Sequence, residues 1–148
     1  MGGGIALSLA SDHGFEVISA NYGMIPAHPE RTLRTACPIV GSYGARDRTL
    51  RGAAAKLERI LSALGIDHDI KEYPGAGHAF LHDHSHEEQG RVMTVISRCM
   101  GGMGYHEASA VDARRRILGF FDRHLKTGVG GLPPGHRSRC QSGPPKGH

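Results

Sequence analysis

No run of eighteen apolar residues occurs in this chain, and there is no charged-then-apolar leader and no lipidation box. Nothing in it is therefore expected to span a membrane or direct export, and a cytoplasmic home is the expectation. Cysteine is scarce. Cys37, Cys99 and Cys140 are odd in number, widely separated and free of any Cys-x-x-Cys pair, which excludes a disulfide scaffold and leaves reduced thiols. A basic stripe with interleaved aromatics is also missing. Three of the four excess positive charges sit on Arg137, Arg139 and Lys146, so the basicity is a property of the tail and no nucleic-acid partner is expected.

What remains is one ordinary domain's worth of chain, 148 residues of which 39% are hydrophobic. It opens "MGGGIALSLAS", three glycines running straight into an apolar helical face of Ile5, Ala6, Leu9 and Ala10. Glycine disfavours a helix interior, but at the entry turn of a buried helix it permits close backbone approach. The spacing predicts a helix over residues 2–13, stopped at Gly14. "FEVISANYG" and "CPIVGSYGARD" are short apolar runs ending in turn residues, the pattern of parallel strands buried on both faces.

Leu50, Ala54, Leu57, Leu61 and Leu64 recur at steps of four and three with Gly65 behind them, which predicts a second helix. "DHDIKEYPGAGHAF" predicts a strand carrying Ile70 and Tyr73, then a Pro/Gly loop delivering His78. A polar, glycine-broken excursion comes next. Val111, Leu118, Phe121 and Leu125 mark the apolar face of a closing helix that ends near Lys126. Residues 127–148 are Gly/Pro-rich with almost no large apolar side chain, and predict a disordered tail beyond a domain at 1–126. Strands alternating with helices make this an α/β chain, whose ligands belong at the carboxyl ends of the strands.

Two residues sit just there. Asp47 comes after one predicted strand and His78 after the next. Taken alone, Asp47 is as well explained as a helix-cap residue and His78 as an ordinary loop histidine. Together, acid before imidazole on successive post-strand loops, they are in the order in which a carboxylate orients a histidine and the histidine shuttles a nucleophile's proton.

The stretches "GSYGARD", "HDIKEYPGAGHAF" and "RRRILGFFDRHL" resemble the C-terminal half of the dienelactone hydrolase family of α/β-hydrolases, over roughly residues 1 to 126. The resemblance implies a partial α/β-hydrolase fold, parallel strands flanked by helices, and a carboxymethylenebutenolidase-like hydrolysis of an ester or lactone with no metal or organic cofactor. It implies Asp47 and His78 as two members of a Cys/Ser-Asp-His triad. In that family the nucleophile elbow reads G-x-C-x-G-G, so "MGGG" resembles the segment immediately after the nucleophile. Met1 then stands where a backbone N–H would serve the oxyanion, and the nucleophile itself is expected ahead of Met1. The chain is expected to be truncated and inactive alone, with the "FEVISA" strand exposed as an edge able to self-associate. Members holding an anionic substrate carry arginine four residues after the triad histidine. Here that place is His82, the candidate substrate contact, which puts a carboxylated substrate in doubt.

Neither Ser42, near a strand end, nor Cys37, at a strand start, has the strand-to-helix turn that exposes a nucleophile. Two other readings stand beside the hydrolase. His82, His84 and His86 alternate beside Asp83, Glu87 and Glu88, a pattern that suits zinc, nickel or copper; a solvated polar loop is the simpler explanation and no metal is expected. The basic tail could make the chain a non-enzymatic interaction protein, with binding that vanishes in moderate salt.

Overall fold

The computed structural model describes residues 2–82 and 104–126. The element order is α1 (Gly2–Ser8), β1 (Ile18–Asn21), α2 (Pro29–Thr32), β2 (Ile39–Gly44), a single 3-10 turn (Arg48–Leu50), α3 (Ala53–Leu64), β3 (His68–Tyr73) and α4 (Glu107–Lys126). All strand pairs among the described residues are parallel in the order β1-β2-β3. The expected α/β class is therefore present. Because β2 and β3 run the same way, the loops after them leave the same edge of the sheet, and those loops carry Asp47 and His78.

Side-chain alternation divides the sheet into two faces. Ile18 and Ala20 of β1 and Ile39 and Tyr43 of β2 pack with Leu7 of α1 and with Ala54, Leu57, Ile60 and Leu61 of α3. On the opposite face Tyr73 packs with Ala110 and Ala113 of α4 and with Ala76 and Phe80 of the loop after β3. The helix α3 carries Ala54, Leu57, Leu61 and Leu64 as their spacing predicts, while Leu50 falls in the 3-10 turn ahead of it, and Gly65 closes the helix in a left-handed conformation with φ of 69°.

Three expectations need correction. The first helix ends at Ser8 rather than at residue 13, because tertiary hydrogen bonds capture the chain that leaves it. Ser11 Oγ donates to Thr32 O, Ser11 bridges Ala36, and the Cys37 N–H donates to Ala10 O. The strand β1 is not buried on both faces. It is an outer strand of the described sheet, burying Ile18 and Ala20 while Ser19 and Asn21 stay half-exposed, whereas β2 is buried along its whole length. On α4 the residues Val111, Leu118 and Leu125 face solvent, Leu118 being 70% exposed. The sheet-facing side is Ser109, Ala110, Ala113 and Phe120, small enough for the helix to lie close to the strands.

Polar contacts fix α4 in that position. The Arg116 guanidinium donates to both carboxylate oxygens of Asp69 at 3.1 and 2.6 Å, to the Asp69 carbonyl at 2.9 Å and to Tyr73 Oη at 3.1 Å. Tyr73 Oη and Lys71 Nζ both donate to Asp112 Oδ2, at 2.9 and 2.7 Å. Those donors, Lys71 foremost, hold the Asp112 carboxyl down at about 2. A carboxyl that is a stronger acid in the folded state adds stability above its ordinary value and loses it as pH falls. Acid titration of stability is thus expected to show a component between about 4 and about 2. Chemical denaturation of Asp112→Asn across that range should lack it.

The opening glycines belong to a close crossing. A Cβ on Gly3 would lie 2.2 Å from Asn21 O and 2.8 Å from Gly23 Cα, so α1 passes in direct backbone contact with the end of β1. No helix among the described residues is long and apolar enough to cross a membrane. The tail at 127–148, Cys99 and Cys140 all lie outside the described residues.

Candidate active site

The loops after β2 and β3 are joined backbone to backbone before any side chain meets. The Ala45 N–H donates to Tyr73 O and the Arg46 N–H to Ala76 O, each at 3.0 Å. Gly44 makes this possible, since a Cβ there would lie 2.4 Å from Gly77 O and 2.5 Å from Ala76 O. His78 is held from both sides by Ala76 and Phe80, which are buried in the second core. The residue after it, Ala79, takes a left-handed φ of 61°, a conformation that costs a non-glycine residue energy and that persists where packing enforces it.

Asp47, 1% exposed, and His78 meet in this frame, with Nδ1 to Oδ2 at 2.6 Å. A carboxylate only accepts, so His78 Nδ1 carries the hydrogen and the neutral ring keeps Nε2 as an acceptor. The other Asp47 oxygen is also engaged. Oδ1 accepts from the Thr49 N–H at 2.9 Å and from Thr49 Oγ1 at 2.6 Å, capping the 3-10 turn. The cap and the acid–imidazole pair are therefore both present, one on each oxygen.

Tyr22 is the functional neighbour that sequence reasoning missed. Its ring centroid lies 5.5 Å from that of His78 and 5.5 Å, edge-on, from that of Phe80. Its hydroxyl accepts the Leu81 N–H at 2.9 Å, tying the His78 loop to the end of β1. Burial pushes the phenol up to about 12, with the Leu81 N–H and Arg114 acting in the opposite sense, so it is neutral at physiological pH. Tyr22 also has a left-handed φ, 48°, and the Asn-Tyr-Gly turn at a strand end was its only sequence signal. Tyr22→Phe leaves the Leu81 N–H without its acceptor. It should cost about 1 kcal/mol in chemical denaturation, with faster hydrogen exchange at the Leu81 amide.

Two clefts meet at Tyr22 and His78. One, about 490 Å³, is lined by Gly2, Gly3, Ser19, Asn21, Ala79 and His82 as well. The other, about 530 Å³, runs between α1 and the segment after β1. His82 thus lies on the same rim as His78, its ring 6.2 Å from Tyr22. Ser42 is fully buried in β2, and its hydroxyl has no hydrogen-bond partner among the described residues. Cys37 lies ahead of β2, at the opposite edge of the sheet from His78, and burial pushes its thiol up rather than activating it. Met1, His84 and His86 lie outside the described residues, and among the described residues no group of His, Cys, Asp and Glu is arranged to hold a metal ion.

Comparison with known proteins agrees with this fold. The model of the dienelactone hydrolase family matches residues 1–125. A "Putative carboxymethylenebutenolidase" of Saccharolobus solfataricus is 29% identical over 126 residues, covering 85% of this chain and 42% of that protein. One from Salmonella typhimurium is 30% identical over 101 residues, 67% of this chain and 31% of its own length. Among solved structures, a "Putative Dienelactone Hydrolase" from Klebsiella pneumoniae superposes with a TM-score of 0.61 at 25% identity, over 82% of this chain and 48% of that one. MGS-M1, an α/β hydrolase enzyme from a deep-sea metagenome library, shares the fold at a TM-score of 0.57 and 13% identity, over 84% of this chain and 51% of its own. The chain thus spans about half the length of these structures and less of the curated relatives.

Proposed function

The chain belongs to the dienelactone hydrolase family, and from that premise we propose that it contributes the acid and the histidine of an esterase or lactonase triad. Asp47 orients His78 and stabilises its imidazolium. His78 takes the proton of an attacking thiol or hydroxyl through Nε2 and returns it to the departing alkoxide. The acyl–nucleophile bond forms as the ester C–O bond breaks; water, deprotonated by the same imidazole, then attacks the acyl carbon, the acyl–nucleophile bond breaks, and the imidazolium returns its proton to the nucleophile as the acid leaves. No step requires a metal or organic cofactor.

A single observation carries this reading, the 2.6 Å contact between His78 Nδ1 and a buried Asp47 carboxylate at the carboxyl edge of a parallel sheet. The family match supports it. The position of Ser42 and Cys37 assigns the attacking group to neither, so the reading places a Cys or Ser outside the described residues, next to the backbone N–H of Met1 as oxyanion donor. His82, on the rim of the smaller cleft, is the proposed contact for one arm of a small-molecule ester or lactone.

The test is hydrolysis of p-nitrophenyl butyrate by the 148 residues alone and by the same chain extended upstream in its reading frame to a Gly-x-Cys or Gly-x-Ser. The extended protein is expected to turn over the ester, to lose that turnover in His78→Ala, and to be indifferent to chelators. Turnover that survives His78→Ala in the extended protein, or a His78-dependent rate in the 148 residues alone, sinks the arrangement.

A further inference from the structure

We propose that the cleft between α1 and the segment after β1 receives the uncharged aliphatic arm of the ester, so that this site selects neutral esters over those carrying a carboxylate on that arm. The inference rests on the hydrolase reading for the chemistry at His78 and goes beyond it in naming the substrate class.

The cleft is lined by His78 and Tyr22 and also by Met24 and Pro26. Ile5, Leu9, Met24, Ile25 and Leu50 give it an apolar wall, and among the described residues no Lys, Arg, Asp or Glu lines it. Two of these side chains are left facing water, Ile5 at 59% and Met24 at 72% exposed. An aliphatic chain laid against them removes apolar surface from water at both partners, which is the term that favours binding in such a site.

The three side-chain hydroxyls of the cleft each make a hydrogen bond within the chain. Ser8 Oγ donates to Gly4 O, Thr49 Oγ1 donates to Asp47, and Tyr22 Oη accepts from Leu81. A carboxylate entering here would give up hydration against apolar side chains, and among the described residues no cation lines the cleft to receive it. It would also approach Asp47, whose negative charge lies directly behind two residues of the lining, Thr49 and His78. The other cleft at His78 has a different character, with Ser19, Asn21 and His82 along it. An ester held at His78 thus has two unlike places for its two arms, and the α1 side is the apolar one.

The test uses two ketones of matched length whose carbonyl stands in for the ester carbonyl and cannot be hydrolysed, 2-octanone and 7-oxooctanoate. Each is titrated into the 148-residue chain carrying ¹³C-labelled methyl groups on methionine and isoleucine. The expected result is saturable shifts of the Met24 and Ile5 methyl resonances with 2-octanone, at a Kd at least tenfold below that of the oxo acid. Met24→Arg, at an exposed position, should narrow or reverse that preference. Equal affinity for the two probes, or methyl resonances at Met24 and Ile5 that move with neither, overturns the proposal. The two readings fail separately. Ketone shifts that persist while hydrolysis by the extended protein ignores His78 keep the apolar cleft and remove the triad. Hydrolysis that depends on His78 with equal kcat/KM for p-nitrophenyl butyrate and p-nitrophenyl hemisuccinate keeps the triad and removes the apolar cleft.

Discussion

Replacing Asp47 by asparagine is expected to lower kcat for ester hydrolysis about ten-thousand-fold, with KM nearly unchanged. The side chain keeps its shape, so an amide oxygen can still accept from the Thr49 N–H and hydroxyl where Oδ1 does now. That leaves the amide NH₂ facing His78 Nδ1. A donor there forces the ring hydrogen onto Nε2, the nitrogen that must receive the nucleophile's proton, so the wrong tautomer is populated and the base is lost. At about 1.4 kcal/mol per decade this is about 5.5 kcal/mol of transition-state stabilisation.

Asp47→Ala would be a poorer experiment. It removes the same charge but also strips the Thr49 N–H and hydroxyl of their acceptor and empties a buried position, and so confounds catalysis with folding. His78→Ala should match Asp47→Asn or exceed it, and the double variant should be little worse than His78→Ala, because residues that act as one unit do not add. The checks are kcat on p-nitrophenyl butyrate in the extended protein and the ¹⁵N shifts of the His78 ring, which report the tautomer directly. An Asp47→Asn variant with the wild-type tautomer and near wild-type kcat would remove the carboxylate from the mechanism.

Much of this arrangement was legible in the sequence, and the reasons for the misses are physical. The leucine spacing of α3 and the glycine after it determine that helix locally, down to its cap at Gly65. The parallel strands were readable because their apolar runs end in turn residues. The face of α4 was not, since a search for large apolar residues finds Val111, Leu118 and Leu125, whereas close packing on the strands selects Ala110 and Ala113. The end of α1 depends on Ser11 and Ala10 reaching partners at Thr32 and Cys37, far along the chain. Asp47 offered two competing explanations, yet a carboxylate has two oxygens and each satisfies one of them. Tyr22 could not be found from local pattern, because its partner, the Leu81 N–H, lies on a loop that only the fold brings near.

Gly44→Ala is expected to destabilise the folded chain by about 3 kcal/mol, the upper end of the cost of forcing a methyl group into a filled site. The added carbon would lie 2.4 Å from Gly77 O and 2.5 Å from Ala76 O, and both are backbone atoms that cannot swing aside as a side-chain tip can. Relief requires the loop after β3 to move away from the end of β2, which stretches the Arg46–Ala76 hydrogen bond and pulls His78 from Asp47. The same substitution at Gly119, mid-helix in α4 with nothing among the described residues within 4 Å of the added carbon beyond its own helix turn, should instead stabilise by about 0.5–1 kcal/mol through helix propensity. Chemical denaturation of the two variants therefore separates alanine's intrinsic preference from the contact at Gly44. If Gly44→Ala unfolds no more easily than wild type and leaves the His78 Nδ1 proton in place, the close approach of the two loops is not what holds acid and imidazole together.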